Sequence, residues 1–341
     1  MQKFFIKAFS FIIGLSIIFN LSGTLADEIA PLDDWRNEHR ERGTNLQEKR
    51  DRIEAITLGN SHSDSIDYSV LGIEGQSLAF AAADLFEIES YAASLEQQLP
   101  TLKTVFITIS YYSFSRDNAT FEPFRTRRIR FYSMVPTWSP IPGDLPRFLL
   151  GKLESTPHIM SVVRWDSWQG VWTGLVNEAL AEESFPYDGV HTDSVWGECD
   201  HYTEEQLETH AEDIARRNIS SSRLMANSHP DLGHDASDAL ARTIESFQSK
   251  GIRVILFTPT YYQTYNVLFA EQGSDIIEGM RQTVYDLQQT YHVEYYDFSG
   301  DPEIMIHPEL FYNSDHLSDC GSRVFTQKLL DMINAHGDPD K

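Results

Sequence analysis

A series of short, almost wholly apolar runs, separated by stretches of helical spacing, constrains the fold more than any other feature. "IRVILFTPT" (residues 252–260) is the clearest run; "LKTVFITISYYSF" (102–114) and residues 53–58 share its character, and "VEYYDFS" (293–299) reads as a further strand. A strand that is apolar on both faces has no side to give to water. It belongs in a parallel sheet covered on both faces. Residues 76–99, 236–251 (stopped by Gly251), 274–291 and part of 319–337 carry the helical pattern between or after these runs. Such alternation predicts an α/β domain over 53–338, and in parallel sheets ligands bind beyond the C-terminal strand ends.

One long segment, 115–230, breaks the alternation. It is rich in Pro, Trp, Arg and His and has no clean period beyond a helix over 203–217, so it reads as a large insertion. It holds Trp138, Trp165, Trp168, Trp172 and Trp196, which suit sugar faces or fill a second small core. Its His residues, with "VHTD" (190–193), His201, His210, His229 and His234, match no zinc-binding spacing. They read as surface histidines, and no metal or organic cofactor is expected. Residues 27–52 form a polar, partly helical lead-in.

Residues 1–26 have the layout of a secretory signal peptide. Lys3 and Lys7 precede an apolar stretch from Ala8 to Leu21, and Thr24-Leu25-Ala26 resembles a cleavage site. Cleavage after Ala26 is the favoured reading, and retention as a membrane tether is the other. Either places the chain outside the cytoplasm, periplasmic or secreted, where Cys199 and Cys320, its two cysteines, are candidates for a disulfide. The formal charge of −24 repels nucleic acid and anionic lipid surfaces. "RTRRIR" (125–130) is the dense basic cluster and reads as a solvated face or an ion-pair set.

The chemistry concentrates in two loops. "AITLGNSHSDS" ends an apolar run at Gly59 and sets Ser61 just past a strand end. A hydroxyl is a poor nucleophile until a base takes its proton. "ELFYNSDHLSDCGSRVFTQKL" (309–329) offers His316 as that base, flanked by Asn313, Ser314 and Asp315; on the residues alone, a loop or helix-capping histidine is the favoured reading. His62 reads as a turn residue, since adjacent side chains rarely reach each other's reactive atoms. A phosphate-cradling turn at 59–61 is the weaker reading, because no Gly-rich spacing or P-loop Lys accompanies it.

"LGNSHS" near the start and "DHLSDCG" near the end resemble the SGNH/GDSL hydrolase superfamily. The likeness is closer to its extracytoplasmic branch of polysaccharide O-acetylation and D-alanyl transfer proteins than to the secreted lipases. "LPTLKTVFITISYYSF" and "GIRVILFTPTYYQTY" support it, and it covers about 53–115 and 236–335. The resemblance implies a three-layer α/β/α sandwich with a flavodoxin-like sheet, Ser61 as nucleophile and His316 as general base. The family places an Asp three residues before that His; here the position is Asn313, with Asp315 adjacent to His316, so the orienting group is one or the other. The family's oxyanion Gly and Asn are not matched, which leaves Asn60, Ser77 and Ser110, or main-chain amides at 60–61, as candidate donors. Tyr261, Tyr262 and Tyr265 are candidates to line the pocket.

The reading is an exported serine esterase or O-acyltransferase acting on small acyl esters, with a glycan or small molecule as acylated partner. A membrane acyltransferase is a further candidate partner. The alternative is a non-catalytic member of the same fold that binds glycan or an envelope protein.

Overall fold

The computed structural model describes residues 34–95, 98–120, 125–135, 137, 139–154 and 202–336. The expected signal segment, Cys199, His201, residues 190–193 and Trp138, Trp165, Trp168, Trp172 and Trp196 lie outside the described residues.

Five strands, β1 (Ala55–Leu58), β2 (Gly75–Ser77), β3 (Thr104–Thr108), β4 (Arg253–Thr258) and β5 (Glu294–Asp297), form one sheet in the order β2-β1-β3-β4-β5. Every pairing is parallel, with Thr57 opposite Phe106, Ile107 opposite Leu256 and Leu256 opposite Tyr295. Strand order therefore turns back at β1, and the ends of β1 and β3 bound the crevice where parallel sheets hold ligands. Ile56, Leu58, Val105, Ile107, Leu256 and Phe257 are buried within the sheet, as the apolar runs predict.

The helices are α1 (Asp34–Lys49), the single turn α2 (Tyr68–Leu71), α3 (Leu85–Leu95), α4 (Arg125–Met134), α5 (Leu145–Glu154), α6 (Glu204–Ser228), α7 (Leu232–Gln248), α8 (Gln263–Gln272), α9 (Ser274–Tyr291) and α10 (Asp319–His336). Helix α9 spans the residues expected of it. The first expected helix, 76–99, does not: Gly75–Ser77 pairs with β1 instead, and α3 begins at Leu85. A reciprocal cap sets that start, with Glu87 N–H donating to Asp84 Oδ1 (2.9 Å) and Asp84 N–H to Glu87 Oε2 (3.1 Å). The run 102–114 is strand only to Thr108, because Ser110 and Ser113 close a turn, Ser110 N–H donating to Ser113 Oγ at 2.8 Å.

Within the insertion, the helix expected over 203–217 runs on to Ser228, started by a capping box between Thr203 and Gln206. The "RTRRIR" cluster is not a solvated face throughout. Arg128 is 1% exposed and sits among Asp84, Glu87, Asp117 and Asp144. A small antiparallel pair, β6 (Phe311–Asn313) and β7 (His316–Leu317), precedes α10. Among the described residues no helix is long and apolar enough to cross a membrane.

Candidate active site

The turn after β1 is built to a tight tolerance. Gly59 has φ +147°, and a Cβ there would lie 2.3 Å from Ser63 Oγ, so the position requires glycine. Asn60 then caps a short 3₁₀ helix, Ser61–Ser65, its Oδ1 accepting from the His62 N–H at 3.0 Å. Thr108 Oγ1 donates to Ser63 Oγ (2.9 Å) and ties the turn to the end of β3. Ser61 is left half-buried at the crevice mouth while His62 and Ser63 turn inward.

The hairpin β6–β7 carries the partner group. Asn313 Oδ1 accepts from the backbone N–H of Asp315 (3.2 Å) and of His316 (3.0 Å), curling the chain so that 313 and 316 face each other. The same oxygen accepts from His316 Nδ1 at 2.8 Å, and Asp315 Oδ1 lies 3.1 Å from that nitrogen. On its other side, His316 Nε2 lies 2.7 Å from Ser61 Oγ, across 255 positions of sequence. Gly321 lets α10 close on this hairpin: a Cβ there would lie 1.9 Å from Leu310 O.

A second histidine reaches the same carboxylate. His62 Nε2 is 3.3 Å from Asp315 Oδ2, and His62 Nδ1 is 2.8 Å from Ser110 Oγ. Burial alone would raise the Asp315 carboxyl. The charge and hydrogen bond of His316, with the hydrogen bond of His62, instead hold it well below the usual carboxylate range. Burial lowers His62 against the opposing pull of Asp315, so the ring is neutral at neutral pH. His210 on α6 places Nδ1 at 2.7 Å from Ser314 Oγ and latches the insertion to the hairpin; burial lowers this imidazole too.

The chain matches no family model and no curated protein.

Of the residues expected at the site, Ser61, His316, Asn313 and Asp315 come together, and both Asn313 and Asp315 contact the ring rather than one of them. Asp315 reaches the ring of its own neighbour because the curl at 313–316 is not extended strand. The two side-chain oxyanion candidates, Ser77 and Ser110, are otherwise engaged. Asn60 Nδ2 donates to Ser110 Oγ at 2.8 Å, Ser110 is fully buried, and Ser77 Oγ accepts from Arg42 Nη1 (3.3 Å) away from the cleft. That leaves the main-chain amides at 60–61 as the candidate donors; the next amide, the His62 N–H, is already taken by Asn60 Oδ1.

Tyr261, Tyr262 and Tyr265 are fully buried and do not line the cleft. Tyr261 packs its ring 5.3 Å from His62 and 4.9 Å from Tyr265, forming the wall behind the site. The cleft itself is small, about 230 Å³ with part of it open solvent, and is lined by Ser61, Asp64, Thr260, Asp315, His316 and Leu317 among others. Cys320, at the start of α10, is disulfide-bonded.

His62, Asp315 and His316 are the one group of donor atoms among the described residues near enough to share an ion, within 4.8 Å. Their contacts are those of a hydrogen-bonded chain. The sequence reading missed His62, taken for a turn residue, and His210, taken for a surface histidine. The available signal was the pairing of two adjacent residues, Ser61-His62, with two others, Asp315-His316.

Proposed function

We propose that this chain is an extracytoplasmic serine ester hydrolase or O-acyltransferase of the SGNH type, built as a three-layer α/β/α sandwich with a flavodoxin-like sheet. The contact that carries the reading is Ser61 Oγ to His316 Nε2 at 2.7 Å, with His316 Nδ1 held by Asn313 and Asp315. His316 Nε2 takes the hydroxyl proton as Ser61 Oγ bonds to the acyl carbon. The tetrahedral intermediate collapses when His316 returns that proton to the departing alkoxide, leaving an acyl-serine. Water, or the hydroxyl of an acceptor, then gives its proton to His316 as its oxygen bonds to the acyl carbon, and His316 returns the proton to Ser61 Oγ as the carboxylic acid or new ester leaves.

The cleft's size favours a short acyl group such as acetyl over a lipid chain. A glycan supplies such esters and also acceptor hydroxyls. The bonded state of Cys320 supports an oxidising compartment. A second reading, a glycan- or partner-binding protein of the same fold, draws on the engagement of Asn60, Ser77 and Ser110 elsewhere.

Fluorophosphonate labelling and p-nitrophenyl acetate turnover of the mature chain decide between them. The enzyme labels at Ser61 and turns over, Ser61→Ala abolishes both, and His316→Gln lowers turnover by roughly a hundredfold or more. Inertness of the wild-type chain to both reagents, with glycan binding intact in Ser61→Ala, establishes the binder instead.

A further inference from the structure

We infer that His62 is a positioning residue for this site: it donates its Nε2 hydrogen to Asp315 and holds that carboxylate against His316 Nδ1. The inference rests on Ser61 and His316 as the reacting pair.

The hydrogens can be placed one at a time. Asn60 Oδ1 accepts from the His62 backbone N–H, so the amide nitrogen is the end that faces Ser110 and donates to its Oγ. Asp315 is ionised and can only accept, so the nitrogen that faces it, His62 Nε2, carries a hydrogen. A neutral imidazole has one N–H, which makes His62 Nδ1 an acceptor, and the Ser110 hydroxyl hydrogen fills it. Ser110 Oγ thus accepts from Asn60 and donates to His62. On the other side, His316 Nδ1–H points at Asp315 and Asn313. That leaves the His316 Nε2 lone pair free to receive the Ser61 hydroxyl hydrogen. Donors converge on Asp315 from both sides, and the tautomer a general base needs follows from the arrangement.

Without His62, Asp315 Oδ2 would be a buried carboxylate oxygen that has lost its donor. Such a group either swings to water or takes a proton. Either outcome leaves His316 with the amide oxygen of Asn313, a neutral acceptor that supports an imidazolium poorly. His62 also has the right address. It follows Ser61 on the same 3₁₀ helix, where successive residues diverge by a third of a turn. Ser61 therefore meets His316 while His62 meets Asp315. Two neighbours grip two neighbours, setting the register between loops from opposite ends of the chain. The ring plane is held edge-on by Tyr261 at 5.3 Å and Tyr112 at 6.3 Å, and Arg116 stacks over Tyr112 at 4.3 Å.

Two substitutions separate this role from space-filling. The amide nitrogen of Gln reaches about where imidazole Nε2 sits, and that of Asn only where Nδ1 sits. The rate of fluorophosphonate labelling of the full mature chain should fall about tenfold to a hundredfold in His62→Asn, the range seen for outer partners of functional imidazoles. His62→Gln should retain most of the rate. Equal losses in both variants, or no loss in either, overturn the inference. A second readout needs no catalysis: imidazole ¹H–¹⁵N correlation spectra of the wild-type chain should show His62 as the neutral Nε2–H tautomer. An Nδ1–H tautomer or an imidazolium at neutral pH overturns it. A chain that the probe fails to label, yet whose His62 shows the Nε2–H tautomer, sinks the catalytic reading while leaving the contact with Asp315 standing.

Discussion

Asn313 Oδ1 accepts from two backbone N–H groups and a ring nitrogen, while Asp315 supplies the negative charge beside that ring. The two residues therefore do different jobs, and their substitutions should separate. Asp315→Asn keeps the shape but removes the charge beside the ring; on the proposed reaction, p-nitrophenyl acetate turnover should fall by roughly a thousandfold or more. Asn313→Ala frees two backbone donors and should cost about 1–3 kcal/mol of stability in urea unfolding. The acid limb of stability belongs to this pair of contacts as well. Asp315 is depressed, so its contribution is present above the unfolded carboxyl range and lost as pH falls through the folded value. His62 is also depressed, so the unfolded chain binds its proton first and stability declines as pH drops below about 6.5. Both act in the same direction, and Asp315→Asn should flatten the acid side of a stability-against-pH curve. The meeting of Ser61 and His316 was legible through the family resemblance of their two loops; on residue type and placement alone, His316 read as an ordinary loop or capping histidine. The role of His62 was not, because its meaning depends on a carboxylate 253 positions away.

Helix α4 is held by a buried charge as well as by the core side chains Phe131 and Tyr132. Arg128 Nη2 meets Asp84 Oδ2 at 2.5 Å and Asp117 Oδ1 at 3.1 Å, and Arg128 Nε lies 3.0 Å from Glu87 Oε1, all at the capped start of α3. Arg147 on α5 pairs with Asp144 beside them. Removing this buried cation leaves Asp84 and Glu87 without their countercharge, so Arg128→Met should destabilise the fold by about 3–5 kcal/mol in urea titrations. One guanidinium does not neutralise the group. Burial and the neighbouring Asp84 push Glu87 up to about 8, against the pull of Arg128. A raised carboxyl has the opposite linkage from Asp315: its share of stability is full below the unfolded value of 4.5 and is lost as pH rises towards 8. Glu87→Gln should therefore remove the decline in stability expected of the wild-type chain between about pH 4.5 and 8. A run of arginines in sequence cannot distinguish this buried network from a solvated face. The distinguishing acids, Asp84, Glu87, Asp117 and Asp144, are scattered along the chain and gather only through folding.

At the scale of the whole molecule, strand–helix alternation carried the sheet, because a strand apolar on both faces has few places to go. What it could not carry was where each element stops. The Ala-rich 76–99 run yields to β2 because pairing Gly75–Ser77 with β1 outweighs local helix propensity, and the insertion's long helix α6 has no strong period to mark its end. Covalent closure is the remaining large-scale constraint. Cys320 begins the helix that follows His316 and is disulfide-bonded. The chain's other cysteine, Cys199, lies outside the described residues; pairing of the two would tie the inserted segment to the element that backs the hairpin of Asn313 and His316. A closed loop of that length restricts the unfolded chain, and its reduction should lower stability by about 2–5 kcal/mol. The hairpin should also lose rigidity relative to β1, so the rate of Ser61 labelling should fall on reduction even where the fold persists. Iodoacetamide applied to the unfolded, non-reduced exported chain should modify neither cysteine, and both after reduction. Modification of Cys320 before reduction would detach the hairpin's support from any covalent tie and leave the hydrogen bonds of Asn313, Asp315 and His62 to hold it alone.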